Sequence, residues 1–354
     1  MLFLSRTESE KWVELGREIL ARDAEPGDLI GMVRQKLIPC FRCFAGSLLI
    51  AGGKDALGRR WFRAGALEEE DGLFFNGFVN GFLERQHGRF VMPEKPFADP
   101  RPFMHFASVP VLRRSREEFV RQAGESLPRF HRPLRLVDLG CGNGALTARF
   151  VERLREIGKA GDLEAVLLVD PSPAMVELAV RTVGETLPPA VVRGVTQSIE
   201  QFTDAVDARF DIAVSSFAYH HLPYETKLFT LRQLAPWIDH FVLFELDSNN
   251  DLPELHSPEL VLSVYQLYGR VIDWVFGHDA PVETAVAAVD NFLMAEAVTM
   301  LTLPRGRRSD YHALRRQWHD LFQHGFGPAF TCLGDVTTLA EDYLDLFTLH
   351  YGRA

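Results

Sequence analysis

The sequence has few cysteines and no long apolar run. Its 354 residues include 4 cysteines, too few and too unevenly spread for a disulfide framework, and we expect a reducing, cytoplasmic environment. No uninterrupted apolar stretch reaches the ~18 residues of a membrane span. The start, MLFLSRTESEKW, lacks the basic region and apolar core of a secretory signal. We therefore expect no membrane partner.

The sequence also has no excess of basic residues. Lys and Arg number 38 against 48 Asp and Glu, which gives a formal net charge of -10. A protein surface that grips nucleic-acid phosphates needs the opposite balance. We expect no nucleic-acid partner, and a small molecule, a peptide or a protein is the favoured substrate.

The chain changes character between Pro110 and Pro133. Residues 1–126 are rich in glycine and phenylalanine and are predicted to be mainly helical. This region is interpreted as a lid, a substrate region or a dimerisation arm, and the last alternative would make a homodimer. Phenylalanines in such number are nevertheless more typical of a core than of a substrate cage. The second region, 127–354, has a different pattern.

In the second region, short apolar runs alternate with helical patterns, which is typical of a parallel α/β sheet. The predicted strands are Leu134–Leu139, Ala165–Asp170, Ala190–Val195, Phe210–Ser215 and Phe241–Leu246. The predicted crossover helices are Asn143–Ile157, Pro173–Val183, Ser198–Ala205 and Pro223–Leu234. Right-handed crossovers then give a Rossmann-like, doubly wound, mostly parallel sheet, with ligands at the carboxyl ends of the strands.

The alternation stops after Leu246. Residues 248–308 are predicted to form a helical cap insertion, and an amphipathic helix is predicted over Tyr311–Phe322. Two extended runs follow, Ala329–Leu333 and Leu346–Tyr351, and they are predicted to close the sheet as an antiparallel pair.

A glycine-rich turn follows the first predicted strand. Gly140-x-Gly142-x-x-Ala145 formally fits the dinucleotide fingerprint, in which glycines admit a pyrophosphate. Asp138 stands just before this turn, and its carboxylate would repel a pyrophosphate. The same carboxylate favours a ligand that carries an ammonium and a sulfonium group. The residues thus favour a cationic sulfur compound over a dinucleotide.

The turn resembles the loop of class I S-adenosylmethionine-dependent methyltransferases, in which an acid, any residue and Gly-x-Gly-x-Gly follow the first strand. The matching residues here are Asp138, Gly140, Gly142, Asn143 and Gly144. The resemblance implies an enzyme that binds S-adenosyl-L-methionine as methyl donor, and it covers about Leu127 to Leu246.

The next strand ends also resemble that family. Asp170, in LLVDPSPAM, stands where the family places the acid that binds the ribose hydroxyls, although it could instead cap the helix that begins at Pro173. Pro171 and Met175 follow, and Met175 is expected either on the adenine or in the helix core. The remaining donor contacts expected from the resemblance are Thr196, Gln197, Ser198, Ser215, Ser216 and Phe217. Ser198 is equally expected as the N-cap of the next helix.

Candidate catalytic residues follow the fourth and fifth strands. A hydroxyl acceptor must lose its proton during methyl transfer, and histidine is the usual base. His220 and His221 are the candidates, with Glu245 as an acid that could orient a base or hold a cationic substrate. The alternative is a structural histidine pair. His256, His278 and His312 fall in the expected cap without compact ligand spacing, so we expect no metal site.

The leading hypothesis is methylation of a small organic molecule, most simply at oxygen. A peptide or protein acceptor is the second hypothesis. A third is a non-catalytic binding module, because the carboxyl-terminal part loosely resembles GRAS-domain proteins, which are methyltransferase-like. An NAD-dependent oxidoreductase is the remaining alternative.

Overall fold

The computed structural model describes residues 1–92 and 100–354, so residues 93–99 of the predicted N-terminal region lie outside the described residues. Contacts divide the chain into two compact units. The helical unit comprises residues 1–96, 248–311 and 341–344, and the sheet unit comprises residues 97–247, 312–340 and 345–354. Contacts thus group the insertion with the N-terminal segment and group residues 100–126 with the sheet, whereas the predicted boundary lies at residue 126 and the predicted insertion belongs to the second region.

The sheet unit contains a seven-stranded sheet in the order β3-β2-β1-β4-β5-β7-β6. Its strands are β1 (Leu134–Leu139), β2 (Leu163–Asp170), β3 (Val192–Thr196), β4 (Phe210–Ser216), β5 (Ile238–Leu246), β6 (Phe330–Ala340) and β7 (Asp345–Arg353). β1 to β5 are parallel, whereas β7 is antiparallel to both β5 and β6. The predicted fold class, a mostly parallel sheet closed by an antiparallel pair, is confirmed.

Helices flank the sheet and form the other unit. In chain order the α-helices of the described residues are α1 (Arg6–Arg22), α2 (Ile38–Ala51), α3 (Asp55–Ala66), α4 (Asn76–Arg85), α5 (Pro100–Ser108), α6 (Pro110–Ser126), α7 (Ala145–Glu156), α8 (Pro173–Gly184), α9 (Ile199–Ala205), α10 (Tyr224–Leu234), α11 (Pro258–Phe276), α12 (Val282–Ala288), α13 (Met294–Thr302) and α14 (Arg315–Phe326). The helix predicted over Tyr311–Phe322 was therefore placed four residues too early. It begins at Arg315, whose backbone amide donates to the Asp247 carboxylate at 2.9 Å.

The sheet is buried on both faces because side chains alternate along each strand. On β5, Phe241 and Leu243 face a cluster that includes Trp318 of α14. Val242 and Phe244 face the opposite cluster, which includes Phe119 of α6. The predicted strands therefore read as continuous apolar runs, since both faces need apolar residues.

The helical unit has an aromatic core. Trp12 of α1 contacts Phe41 and Phe44 of α2, with ring centroids 5.1 and 5.7 Å apart. Phe41 also makes an edge contact with Trp61 of α3, and all four side chains are buried. These phenylalanines are core residues of the helical unit.

One helical stretch of the described chain, Val282–Thr302, is long and apolar enough to cross a membrane by length and composition alone. Most of it is buried within the protein, which is the usual environment of a core helix.

Candidate active site

The loop after β1 adopts backbone angles that favour glycine. Gly140, Gly142 and Gly144 have φ of 81°, 52° and 75°, in the left-handed region where a Cβ is strained. A Cβ at Gly140 would lie 2.1 Å from the Cβ of Ala218, and one at Gly144 would lie 2.8 Å from the Cα of Ala179. The glycines therefore let this loop lie directly against its neighbours.

Asp170, at the end of β2, stabilises the glycine loop. Its carboxylate accepts hydrogen bonds from the backbone amides of Gly142 at 3.1 Å and Ser172 at 2.9 Å. The N-cap of α8 is Ser172, whose hydroxyl accepts from the Met175 amide. Ser172, and not Asp170, is thus the residue that caps α8. Burial raises the pKa of Asp170.

Asp138 has one carboxylate oxygen without a partner. The Thr147 hydroxyl of α7 donates to Oδ2, while Oδ1 is buried and has no hydrogen-bond partner in the described chain. Burial raises the pKa of Asp138 to about 7. A buried acceptor without a donor is costly, and a cationic ligand at this position would satisfy it. The donor set therefore fits S-adenosylmethionine.

The other residues predicted to contact the methyl donor differ in their burial and in the hydrogen bonds of their side chains. Asn143 is half-buried, and its Oδ1 accepts from the Ala145 amide at 3.2 Å. Ser198 caps α9, with its hydroxyl bound to the Gln201 amide. Met175 is buried, Gln197 is half-buried, and Pro171 and Thr196 are exposed.

The residues at the end of β4 include a strained position. Ser215 is buried and donates from its hydroxyl to the Leu139 carbonyl at 2.9 Å, so this hydroxyl holds β4 to β1. Ser216 and Phe217 are half-buried. Phe217 has a φ of 49°, and its ring lies 4.5 Å from that of Phe244. A bulky residue in the left-handed region is uncommon and often marks a functional site.

His220 and Glu245 form a buried pair. His220 Nδ1 lies 2.9 Å from Glu245 Oε2, and its backbone amide donates to Oε1 at 3.3 Å. The two residues are 5% and 1% exposed. A carboxylate at Nδ1 fixes the tautomer of the imidazole and stabilises its protonated form. This arrangement suits a base, His220, that is oriented by Glu245. Orienting a base is one of the roles expected for Glu245.

The two adjacent histidines have different surroundings. The ring of His220 is paired with Glu245. The half-buried His221 lies close enough to Asp170 to oppose, in part, the rise that burial causes in the pKa of Asp170. Both histidines of the predicted site lie at the carboxyl edge of the sheet, after β4.

His312 was expected in the cap, but it lies in the sheet unit, against His220. Their rings are stacked, with centroids 4.2 Å apart, and burial holds the pKa of His312 well below its usual range. The buried Lys227 of α10 lies nearby, with Nζ 5.5 Å from the Trp318 ring, and also lowers that pKa. No spacing signal relates residues 220 and 312, so only the fold could have revealed this contact.

Three of these side chains are candidate metal ligands. His220, Glu245 and His312 place ligand atoms within 4.8 Å of one another. The lone pair of imidazole lies in the ring plane, however, and the two histidine planes are stacked at 29°. Their lone pairs therefore do not converge on one point, and we assign no metal ion to this cluster.

Residues 136–238 match a family model described as a methyltransferase domain. This match contains the glycine loop, Asp170 and both histidines. This part of the chain thus matches a methyltransferase domain, and S-adenosylmethionine stays the cofactor that the resemblance of the glycine loop implies. The weaker resemblance to GRAS-domain proteins stays unconfirmed.

Solved structures with a similar fold include other methyltransferases. Magnesium protoporphyrin IX methyltransferase from Synechocystis PCC 6803 is 15% identical, with 72% of this chain and 100% of that chain covered and a TM-score of 0.38. A putative O-methyltransferase from Nostoc punctiforme is 12% identical, with coverages of 73% and 62% and a TM-score of 0.43. The pyocyanin biosynthetic protein PhzM is 15% identical, with coverages of 71% and 61% and a TM-score of 0.40. No curated protein is significantly similar in sequence.

Proposed function

We propose that this methyltransferase acts on a hydroxyl oxygen of a small organic molecule. The observation that carries the proposal is the buried His220–Glu245 pair, at the same sheet edge as Asp138 and the glycine loop. A hydroxyl must lose a proton during methyl transfer, and this pair can accept it, whereas a neutral amine or a thiolate is already nucleophilic.

The donor half of the reaction depends on Asp138 and Asp170. Asp138 offers its unpartnered oxygen to the positive charge of the donor. Asp170 holds the loop through Gly142, and the resemblance implies that its carboxylate also binds the ribose. When bound, S-adenosylmethionine supplies the methyl group from its sulfonium. These residues orient the donor, which is a large part of what an in-line displacement requires.

The acceptor half depends on His220. The imidazole of His220 takes up the hydroxyl proton. Bound S-adenosylmethionine would supply the methyl carbon, whose bond to sulfur would break as the oxygen electron pair bonds to that carbon, and S-adenosylhomocysteine would leave. Glu245 stabilises the resulting imidazolium through Nδ1, at 2.9 Å. Because His220 is only 5% exposed, a compact molecule reaches this base more readily than the surface of a folded protein does.

The proposal is tested in two stages. Calorimetric titration with S-adenosylmethionine, S-adenosylhomocysteine and NAD is expected to give micromolar binding of the first two only. Transfer of a radiolabelled methyl group is then measured on a panel of phenols, aliphatic alcohols, amines and peptides, and the expected acceptors are hydroxyl compounds.

His220→Ala and Glu245→Gln are the informative variants, and exposed His131→Ala is the control. Loss of the base is expected to lower kcat by roughly 10²–10⁴-fold while S-adenosylhomocysteine affinity stays within about twofold. Full turnover by His220→Ala, or transfer only to peptides, would contradict the proposal.

A further inference from the structure

Arg116 of α6 is a half-buried cation without an acidic partner in the described chain. Its Nη1 donates to the Ala107 carbonyl at 2.8 Å, in the last turn of α5. Burial lowers the pKa of Arg116 to about 10, and no carboxylate of residues 1–92 or 100–354 offsets the effect. The guanidinium still carries its charge at neutral pH. An uncompensated charge removed from water is costly, so its retention requires an explanation.

The path of α6 places Arg116 at the ligand-binding edge of the sheet. The Ser126 hydroxyl lies 2.9 Å from His350 Nδ1, and His350 pairs with Val242 in the middle of β5. One turn earlier, Gln122 bonds to Thr338 on β6. The β7 residues that pair with the neighbours of Thr338 also pair with Glu245 and Leu246, at the end of β5. Arg116 precedes Gln122 by six residues on α6, which is roughly 9 Å along the helix at 1.5 Å per residue. It therefore lies beyond the carboxyl end of β5.

The helix that Arg116 contacts covers the glycine loop. A Cβ at Gly142 would lie 3.5 Å from the ring of Phe103, and the Asn143 amide lies 3.1 Å from the Met104 sulfur. Ala107 is about one helical turn further along α5. The guanidinium is thus close to the donor loop. Phe119, three residues beyond Arg116, stacks on Phe244 at 4.9 Å, and Phe244 in turn contacts Phe217 at the end of β4.

Capping of α5 accounts for only part of this arrangement. A cation at a helix C-terminus is favourable, but the bond to Ala107 uses one of the five N–H groups of a guanidinium. The planar fork of the remaining groups matches a carboxylate, which it can bind with two parallel hydrogen bonds. The net charge of -10 disfavours a doubly charged phosphate more than a carboxylate.

We propose that Arg116 binds a carboxylate of the methyl acceptor, so that the substrates are hydroxy acids whose apolar body lies against Phe217. This inference rests on the proposed function, because it assigns the acceptor of the same reaction. Arg116 thereby sets specificity, since a neutral analogue would leave its charge unpaired.

Binding of matched pairs of probes tests the inference without turnover. Hydroxy acids such as 4-hydroxybenzoate and 3-phenyllactate, and the corresponding amides, are titrated into the protein saturated with S-adenosylhomocysteine. The variants are Arg116→Gln, which keeps a donor for Ala107 but loses the charge, and Arg116→Lys, which keeps the charge. Exposed Arg113→Gln, on the same helix, is the matched control.

Wild type and Arg113→Gln are expected to bind the acids at least tenfold more tightly than the amides. Arg116→Gln should lose this preference, and Arg116→Lys should keep part of it. Equal affinity for acids and amides in the wild type, no binding of any acid, or an unchanged preference in a folded Arg116→Gln would overturn the inference. Acid binding without methyl transfer to any hydroxyl would instead remove the proposed function and leave the carboxylate site.

Discussion

The backbone amide of Gly142 donates a hydrogen bond to the carboxylate of Asp170 at 3.1 Å. This contact joins the end of β2 to the glycine loop after β1, so that the shape of the loop depends on an acid in another strand. The same carboxylate also binds the Ser172 amide. Asp170, expected to bind the donor or to cap a helix, therefore also holds the glycine loop.

Replacement of Asp170 by alanine should weaken donor binding at least tenfold. The substitution removes both the predicted ribose contact and the acceptor of the Gly142 amide, and each charge-assisted hydrogen bond contributes about 1.5–3 kcal/mol. Calorimetry with S-adenosylhomocysteine measures the effect. Exposed Asp162→Ala, which precedes β2, is the control. Equal affinities in both variants would mean that Asp170 lies outside the donor site.

Gly140→Ala should destabilise the protein, whereas Gly161→Ala should not. Alanine at Gly140 requires a φ of 81° and meets Ala218 at 2.1 Å, while a Cβ at Gly161 meets nothing within 4 Å. A left-handed alanine costs about 1–2 kcal/mol, and the contact adds to this. The change at Gly161 should stay within about 0.5 kcal/mol. Urea denaturation compares the two variants, and a Gly140→Ala protein as stable as wild type would contradict the described loop.

Much of the sheet could be predicted because its signals are local. β1 is predicted residue for residue, and β2 and β4 to within two residues, since a run of apolar residues between polar turns is typical of a strand buried on both faces. β6 is longer than predicted and continues to Ala340. Register shifts at Cys332/Gly334 and Thr337/Leu339 interrupt the alternation of side chains along β6. A sequence pattern of period two therefore does not predict this extension.

The candidate site could be predicted only where its residues follow a motif. Asp138, the glycines, Asp170 and the histidine pair all stand at strand ends that the resemblance identifies. His312 and Arg116 do not, because each reaches the site from a segment outside the motif through tertiary packing. Likewise, no sequence signal shows that the Ser215 hydroxyl bonds to the backbone of β1, whereas the N-cap role of Ser198 was one of its two expected roles.

Donor affinity should rise with pH between about 6 and 8. Burial raises the pKa of Asp138 from 3.8 to about 7, so the carboxyl is protonated and neutral in the free protein below that pH. A positively charged donor binds the ionised form, so each unit of pH below the pKa costs up to about tenfold in affinity. Titration with S-adenosylmethionine at several pH values measures this slope.

Asp138→Asn removes the titrating group and should flatten that dependence, with weaker binding at pH 8. Asp162→Asn serves as control and should keep the wild-type slope. A slope that persists in Asp138→Asn would assign the pH dependence to another group.

Acid should destabilise the fold through His350. His350 is buried between His240, at 3.0 Å, and the Ser126 hydroxyl, at 2.9 Å, and burial lowers its pKa from 6.5 to about 3. Above pH 6.5 the histidine is neutral in both states. As pH falls from 6.5 towards 3, the unfolded chain takes up a proton that the folded protein does not, so the free energy of unfolding falls by up to about 1.4 kcal/mol per pH unit.

Urea denaturation of wild type and His350→Asn at pH 5 and 7.5 tests this effect. Asparagine can bond to Ser126 and has no proton to gain, so the loss of stability between the two pH values should be smaller in this variant. Exposed His131→Asn should lose as much as wild type. The comparison of variants matters because other groups titrate in the same range. Burial raises the pKa of the half-buried Glu69 to about 7, so protonation of Glu69 stabilises the fold as pH falls. An identical loss of unfolding free energy in all three proteins would show that protonation of His350 does not cause the destabilisation.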